Sequence, residues 1–425
     1  MSRNSALQVL LCFFLALPAA SRSLWAEAAP ERTRRPPALS PPKGPIVRVR
    51  TEGELQAAVR NLVSGRTILI EPGTYRLSST VRIDSGVKDV TIRGRTDSYD
   101  DVVLSGRGMS NPDHQGVPHG IWIGNAQRVR IANLTVQDVY YHAIQLDPGF
   151  GAQAPHIYNV RLVDSGEQFI KASLTPDGKA VHDGIVEYST MEYTSTARSN
   201  YTNGVDVLGG ANWIVRWNVF KNIRAPAGQL AGPAVLMWKG SKDSIVEGNL
   251  FINVQYGIAL GLDPSRADDH SGGIVRNNFF HRTKHQSGDV GITINNSPRA
   301  KVLHNTVILN GTYPNAIEYR FPATTDVEIR YNLTDAVVQL RDGASGTISQ
   351  NVTNAEPAWF SVAGDLHLAK TASAAIDRAN PHSDVQTDYD GEARPAGAAP
   401  DIGADEVSSS APGKASGSPA RSGGK

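Results

Sequence analysis

The chain is poor in cysteine, in long hydrophobic runs and in net charge, and each shortage excludes something. Its one cysteine in 425 residues is Cys12, inside an apolar N-terminal stretch, so the rest of the chain can form no disulfide and do no thiol chemistry. Stability has to come from packing and hydrogen bonding. The 42 basic and 41 acidic side chains nearly cancel, which argues against a dedicated nucleic-acid binder. No glycine motif stands between a strand and a helix to cradle phosphates. The 11 histidines show no zinc spacing, and His281 and His285 fall in a strand-to-loop region where they would not share a helix face. Helical periodicity is also scarce.

Arg3 followed by the apolar run Ala6 to Pro18 and by Ala26-Glu27-Ala28 reads as an export signal over residues 1–28 with a small-x-small cleavage site. The run is shorter than the roughly 20 residues a membrane span needs, and no second one follows. Leu11 before Cys12 argues against lipidation. A secreted or periplasmic protein, monomeric and without an integral membrane segment, is expected. Residues 29–45, rich in proline and arginine, read as an extended linker. Thr51 and Glu54 then form a capping box, and Leu55, Val59, Leu62 and Val63 keep helical spacing up to Ser64-Gly65. Thr67 to Ile70 reads as a strand broken by Pro72-Gly73. A short helix entering strands suits the open end of a solenoid, where unpaired edges invite aggregation.

The informative signal is repetition. Ile214-Val215-Arg216-Trp217-Asn218-Val219-Phe220 returns as Ile245-Val246-Glu247-Gly248-Asn249-Leu250-Phe251 and as Ile274-Val275-Arg276-Asn277-Asn278-Phe279-Phe280. Looser copies centre on Asn133, Asn159, Asn305, Asn332 and Asn351, most of them about 26 to 31 residues apart. Between them lies a second motif, a small residue followed by alternating apolar positions: Gly120 to Ile123, Ala143 to Leu146, Gly204 to Val207 and Gly257 to Leu260. Two or three short strands per repeat with no helical period describe a parallel β-helix of roughly nine or ten coils. Stacked asparagines would hydrogen-bond up one turn. Sequons such as Asn133-Leu134-Thr135 then follow from the ladder rather than from glycosylation.

The solenoid is expected over 46–364, its coils ending near Val362. Residues 365–407 read as a terminal cap and 408–425 as a disordered tail. The cap carries Ala372 to Asp377, Asp388-Tyr389-Asp390-Gly391-Glu392-Ala393-Arg394-Pro395 and Asp401-Ile402-Gly403-Ala404-Asp405-Glu406. This resembles the closing segment of secreted bacterial right-handed β-helix proteins of the pectate-lyase-like superfamily. The fold class expected is all-β, a right-handed parallel β-helix with a short N-terminal capping helix. One fold hosts many functions, so this resemblance bears on activity weakly.

Aligning the second motif puts Trp122, Gln145, Lys171 and Asp206 at successive outward positions, about 4.8 Å apart up the axis. An aromatic, an amide, a cation and a carboxylate in register can line a saccharide groove; an ordinary solvated sheet face would look the same. The stretch Ala234-Val235-Leu236-Met237-Trp238-Lys239-Gly240-Ser241-Lys242, continuing through Asn249 to Gly261, resembles the catalytic coils of the polysaccharide lyase family of alginate lyases and chondroitinase B. That resemblance implies β-elimination on an acidic, uronate-containing polysaccharide. Lys239 falls at the base position, Trp238 beside it would contact substrate, and calcium would neutralise the carboxylate. Leu260 and Gly261 occupy the family's arginine position and Ala234 that of an acidic calcium ligand. Arg266 or His270 would then assist, and Asp263, Asp268 and Asp269 would supply metal oxygens. Glu167 to Ser173, with Asp206 one coil away, makes Lys171 a second base candidate. Asn203-Gly204-Val205-Asp206 resembles one fragment of the polygalacturonase motif without its adjacent aspartate pair. A non-catalytic carbohydrate-binding or cell-envelope protein is the alternative to a lyase.

Overall fold

A computed structural model describes residues 34–362 and 364–407; the export signal with Cys12 and the tail 408–425 lie outside them. The chain forms a right-handed parallel β-helix. Every pairing between its named strands is parallel, as coils wound in one direction require. Ten strands, from Val81–Ile83 to Val337–Arg341, stack into one sheet, which sets the number of full coils at ten. The other two faces are joined into a 20-stranded sheet by the long strands Arg130–Val139 and His156–Ser165, which turn the corner between them.

The alternation read from the repeats places the core. Val215, Val246 and Val275 stack inward on one face and Val207, Met237 and Leu260 on another, all fully buried. Phe220, Phe251 and Phe280 form an interior stack with ring centroids 4.8 and 4.2 Å apart and planes within 7° and 3° of parallel. Each such ring contributes roughly 1.5–3 kcal/mol by leaving water.

At the corner after the first motif, Asn218, Asn249, Asn278, Asn305, Asn332 and Asn351 form a continuous ladder. Each amide donates to the next carbonyl oxygen at 2.9 to 3.0 Å. Asn133 and Asn159 are displaced by one residue from the expected repeat. They align with Tyr188 and Trp217, not with Asn218, in a column of positive φ that asparagine tolerates better than most residues. Ser189 continues the ladder below Asn218 instead.

The capping helix runs Glu52–Arg60, ending four residues short of Ser64. Thr51 accepts from the Glu54 amide at 3.2 Å, and Glu54 reaches back to the Arg50 amide at 2.6 Å. Leu55, Val59 and Leu62 are buried against the first coil, while Val63 is exposed.

Both terminal segments lie along the outside of the long sheet. Residues 34–43 carry no helix or strand, as a linker would, but they are packed rather than free. The Tyr158 hydroxyl donates to the Pro37 carbonyl, Leu39 packs among Ala132, Tyr158, Tyr188 and Trp217, and the Arg34 guanidinium lies 4.8 Å from the Trp217 ring. Further up the axis the segment 365–407 covers the same side. Tyr389 stacks 4.1 Å from Phe279, the Ala404 amide donates to Thr306 Oγ1 at 2.9 Å, and a buried Arg394–Glu406 pair at 2.8 Å holds the segment together.

Candidate functional site

The ten-stranded sheet places Arg82, Trp122, Gln145, Lys171, Asp206 and Leu236 in one outward column, each the cross-strand partner of the next. The alternation that buries Ile121 and Ile123 turns Trp122 outward, and the same holds in each coil. These outward side chains are nevertheless shielded. The Arg82 guanidinium lies 3.6 Å over the Trp122 ring, and exposed Phe150 meets that ring edge-on at 5.2 Å. Gln145 donates to Ser173 Oγ at 2.9 Å.

The Lys171 ammonium contacts the Asp206 carboxylate, and their side chains are only 10% and 2% exposed. Trp238, one outward position further along its strand, donates its indole N–H to Asp206 Oδ1 at 2.9 Å. Tyr201, 51% exposed, lies with its hydroxyl 3.4 Å from Lys171 Nζ. Burial alone would lower the Lys171 pKa, but the adjacent Asp206 carboxylate outweighs it, and the pKa is raised. Burial pushes the Asp206 carboxyl up against the pull of Lys171 and Trp238.

Beside Lys171 stands a second charged group that the sequence only partly signals. Glu167 pairs with Arg198 at 3.2 Å, and Arg198 lies 3.9 Å over the Tyr140 ring. His142 Nε2 is 3.7 Å from Glu167 and its ring stacks on His119. Burial raises the Glu167 pKa, opposed by Arg198 and Lys171. Burial lowers both histidines, His119 to about 4. Arg198 and Tyr201 come from a loop with no periodicity, so nothing in the sequence pairs them with Lys171.

Two coils above Lys171, Lys239 has φ +58° and Nζ 2.6 Å from Asp263 Oδ2 and 4.7 Å from the Trp238 ring. Trp238 thus joins the two lysine pairs. Lys239 is spoken for by Asp263, which its ammonium and Ser265 hold well below the usual carboxylate range; a free base at Lys239 would require breaking that pair. Arg266 is half exposed, 3.9 Å from Asp269. His270 corrects an expectation. Its ring is fully buried between Ser297 Oγ at 2.9 Å and Ser244 Oγ at 3.1 Å, with its pKa lowered to about 3 by burial. It is an interior turn rung and cannot reach a substrate.

The aspartates do not fit a calcium site. Asp269 is fully buried and accepts from the backbone N–H groups of Lys239, Leu262 and Asp263 at 2.7 to 2.8 Å. Asp263 is divided between Lys239 and Ser265, and Asp268 points to solvent. Among the described residues, the one group whose potential ligand atoms converge within 4.8 Å is His367, Asp390 and Asp405, in the terminal segment far along the chain from these.

Residues 119–321 match the family described as right handed beta helix region. Among solved structures, the fold resembles pectate lyase Pel9A, with 14% identity over 82% of this chain and 90% of that one and a TM-score of 0.51. An alginate lyase from Paenibacillus sp. str. FPU-7 aligns with 16% identity over 73% and 99% of the two chains, TM-score 0.45. The surface adhesin PfbA of Streptococcus pneumoniae aligns with 14% identity over 71% and 86%, TM-score 0.44. No curated protein matches the sequence. At 14% identity the likeness to the pectate lyase is one of fold. No helix among the described residues is long and apolar enough to cross a membrane.

Proposed function

We propose that this chain, a pectate-lyase-like right-handed parallel β-helix protein, is exported and binds an acidic, uronate-containing polysaccharide along the outer face of its ten-stranded sheet. The observation that carries the reading is the Lys171–Asp206 pair. Withdrawing two charges from water costs several kcal/mol per ion, and apolar residues of similar size would serve folding as well or better. An ion pair kept on an outward column, between an exposed phenol and an indole, is better accounted for by a ligand. Lys171 and the Tyr201 hydroxyl would meet a sugar carboxylate, Gln145 and Ser173 its hydroxyls, and the rings of Tyr201, Trp238 and Phe150 the apolar faces of the pyranoses. The N-terminal reading as an export signal agrees with a polymer met outside the cell.

Turnover by β-elimination is the second reading, favoured by the 3.4 Å separation of Lys171 Nζ from the Tyr201 hydroxyl. There a base removes the proton on the carbon bearing the carboxyl group, the neighbouring carbon–oxygen bond breaks, and the leaving oxygen takes up a proton. Because Asp206 favours the charged form of Lys171, its use as a base would grow with rising pH. Lys239 is the weaker candidate, since its ammonium is bound to Asp263.

The test combines retention on immobilised alginate, pectate and chondroitin with absorbance in the unsaturated-uronate band, with and without calcium. Retention without new absorbance, abolished in Lys171→Ala, is the outcome expected for a binding protein. Rising absorbance that Lys171→Ala abolishes would make it a lyase. If a retained polymer is held as well by Lys171→Ala as by the wild type, the groove assignment is wrong.

A further inference from the structure

A second polar site lies on the opposite side of the solenoid, beneath the proline-rich strap. Residues 39–43 roof a cavity of about 260 Å³ whose floor includes Thr67, Thr91, Arg93 and Arg130. It adjoins a cavity of about 430 Å³ with which it shares Asp89, Thr91 and Arg130, and which Asp183 also lines. The charges around it do not balance. Asp89 is spent on Arg128, through contacts of 2.6 and 2.8 Å. Arg93, only 6% exposed, donates Nε to the Gly94 carbonyl at 3.1 Å, while its terminal nitrogens have only long contacts: the Ser40 carbonyl of the strap at 3.5 Å and Asp97 at 3.4 Å, whose side chain is more than half exposed. Arg130 uses only Nε, toward His156 Nδ1 at 3.1 Å; its terminal nitrogens, like Lys43 Nζ in the roof, make no hydrogen bond or ion pair with the described residues. Arginine presents its donors in a fixed fork suited to an oxyanion, and here two such forks and a lysine line one small space.

We propose that this cavity binds a compact oxyanion carried by a small ligand, the carboxylate, phosphate or sulfate of a sugar. Arg93 and Arg130 would hold it from the sheet and Lys43 from the strap, while the adjoining cavity takes the rest of the ligand. Occupation would tie the strap to the sheet through the anion, so that residues 34–43 close over a ligand as well as over Tyr158 and Trp217. The site is separate from the Lys171 groove and stands or falls independently of it.

The test is calorimetric titration of the full chain with glucuronate, glucose 6-phosphate, glucose 6-sulfate, inorganic phosphate and, as the neutral control, glucose. At least one anion should bind, glucose should not, and Arg130→Gln should weaken binding by about tenfold or more, as expected from loss of a forked contact. Lys43→Gln, which removes no contact within the protein, should weaken it by a smaller factor with the fold intact. Tighter binding of an anionic sugar than of phosphate would identify a saccharide ligand; equal binding would identify a free oxyanion. Bound ligand should also slow tryptic cleavage after Lys43. Absence of binding by all four anions, or an affinity within twofold of wild type in both Arg130→Gln and Lys43→Gln, would overturn the proposal.

Discussion

Replacing Lys171 by methionine keeps an unbranched side chain, one atom shorter, and deletes its charge together with its hydrogen bonds to Asp206 and Tyr201, which makes it the sharpest probe of the groove. Asp206, with 2% of its side chain exposed, would keep the Trp238 indole as its side-chain donor. Breaking a buried pair by removing one partner costs about 3–5 kcal/mol, most of it the penalty of a stranded carboxylate. Asp206 can escape part of that penalty by taking up a proton, because burial already pushes its carboxyl upward. The cost therefore depends on pH. With the folded-state pKa above the unfolded value of about 3.9, the folded form binds the extra proton. The variant is then least destabilised below about pH 4 and loses about 1.4 kcal/mol per unit as pH rises toward the folded-state pKa. Adding Asp206→Leu removes the stranded charge. The double variant should recover most of the loss and end within about 1 kcal/mol of wild type or above it. Urea unfolding followed by tryptophan fluorescence measures all four forms, and the double-mutant cycle isolates the coupling. A coupling energy below about 0.5 kcal/mol, or a Lys171→Met loss that does not change between pH 4 and pH 8, would show that the pair does not behave as a buried ion pair and would remove the premise of the groove.

The ladder and the terminal segment make two further predictions. Asn249, fully buried, donates to the Val215 carbonyl and to Asn278 and accepts from the amide and side chain of Asn218. Asn249→Ala strands buried donors and should cost about 3–5 kcal/mol in urea unfolding, whereas Asn351→Ala, at the half-exposed end where water can substitute, should cost about 1 kcal/mol; equal losses would refute a burial-dependent ladder. His367 lies between Asp365 and Asp390, and although burial alone would lower its pKa, the hydrogen bonds to Asp390 and Asp365 and the charges of Asp405 and Asp390 raise it to about 10. Its contribution is fully present below the unfolded value of about 6.5 and is lost as pH rises through the folded-state value. Hydrogen exchange of residues 365–407 should therefore accelerate between pH 7 and pH 10 in the wild type and show little pH-dependent change beyond the intrinsic rate in His367→Asn.

The sequence by itself determined the architecture, because a solenoid writes each coil into the chain again. Val, Ile and Phe at alternating positions choose the inward face, and asparagine at one corner satisfies backbone groups that recur in every turn. Those constraints are local and periodic, so the ladder from Asn218 to Asn351 and the column Trp122–Gln145–Lys171–Asp206 are legible in the sequence. The same periodicity misplaced Asn133 and Asn159 by one residue, since a left-handed corner accepts asparagine as readily as a ladder does. Which outward residues are free to act was decided only by the tertiary structure. Lys239 is bound to Asp263 across a loop, Asp269 is consumed by three backbone amides, His270 is an interior rung, and the apparent linker 34–43 lies against Tyr158 and Trp217. Such pairings join residues from loops of irregular length, where no period ties position in the sequence to position in space. A side chain's charge, exposure and partners depend on the coils above and below it, and only the wound chain brings those together.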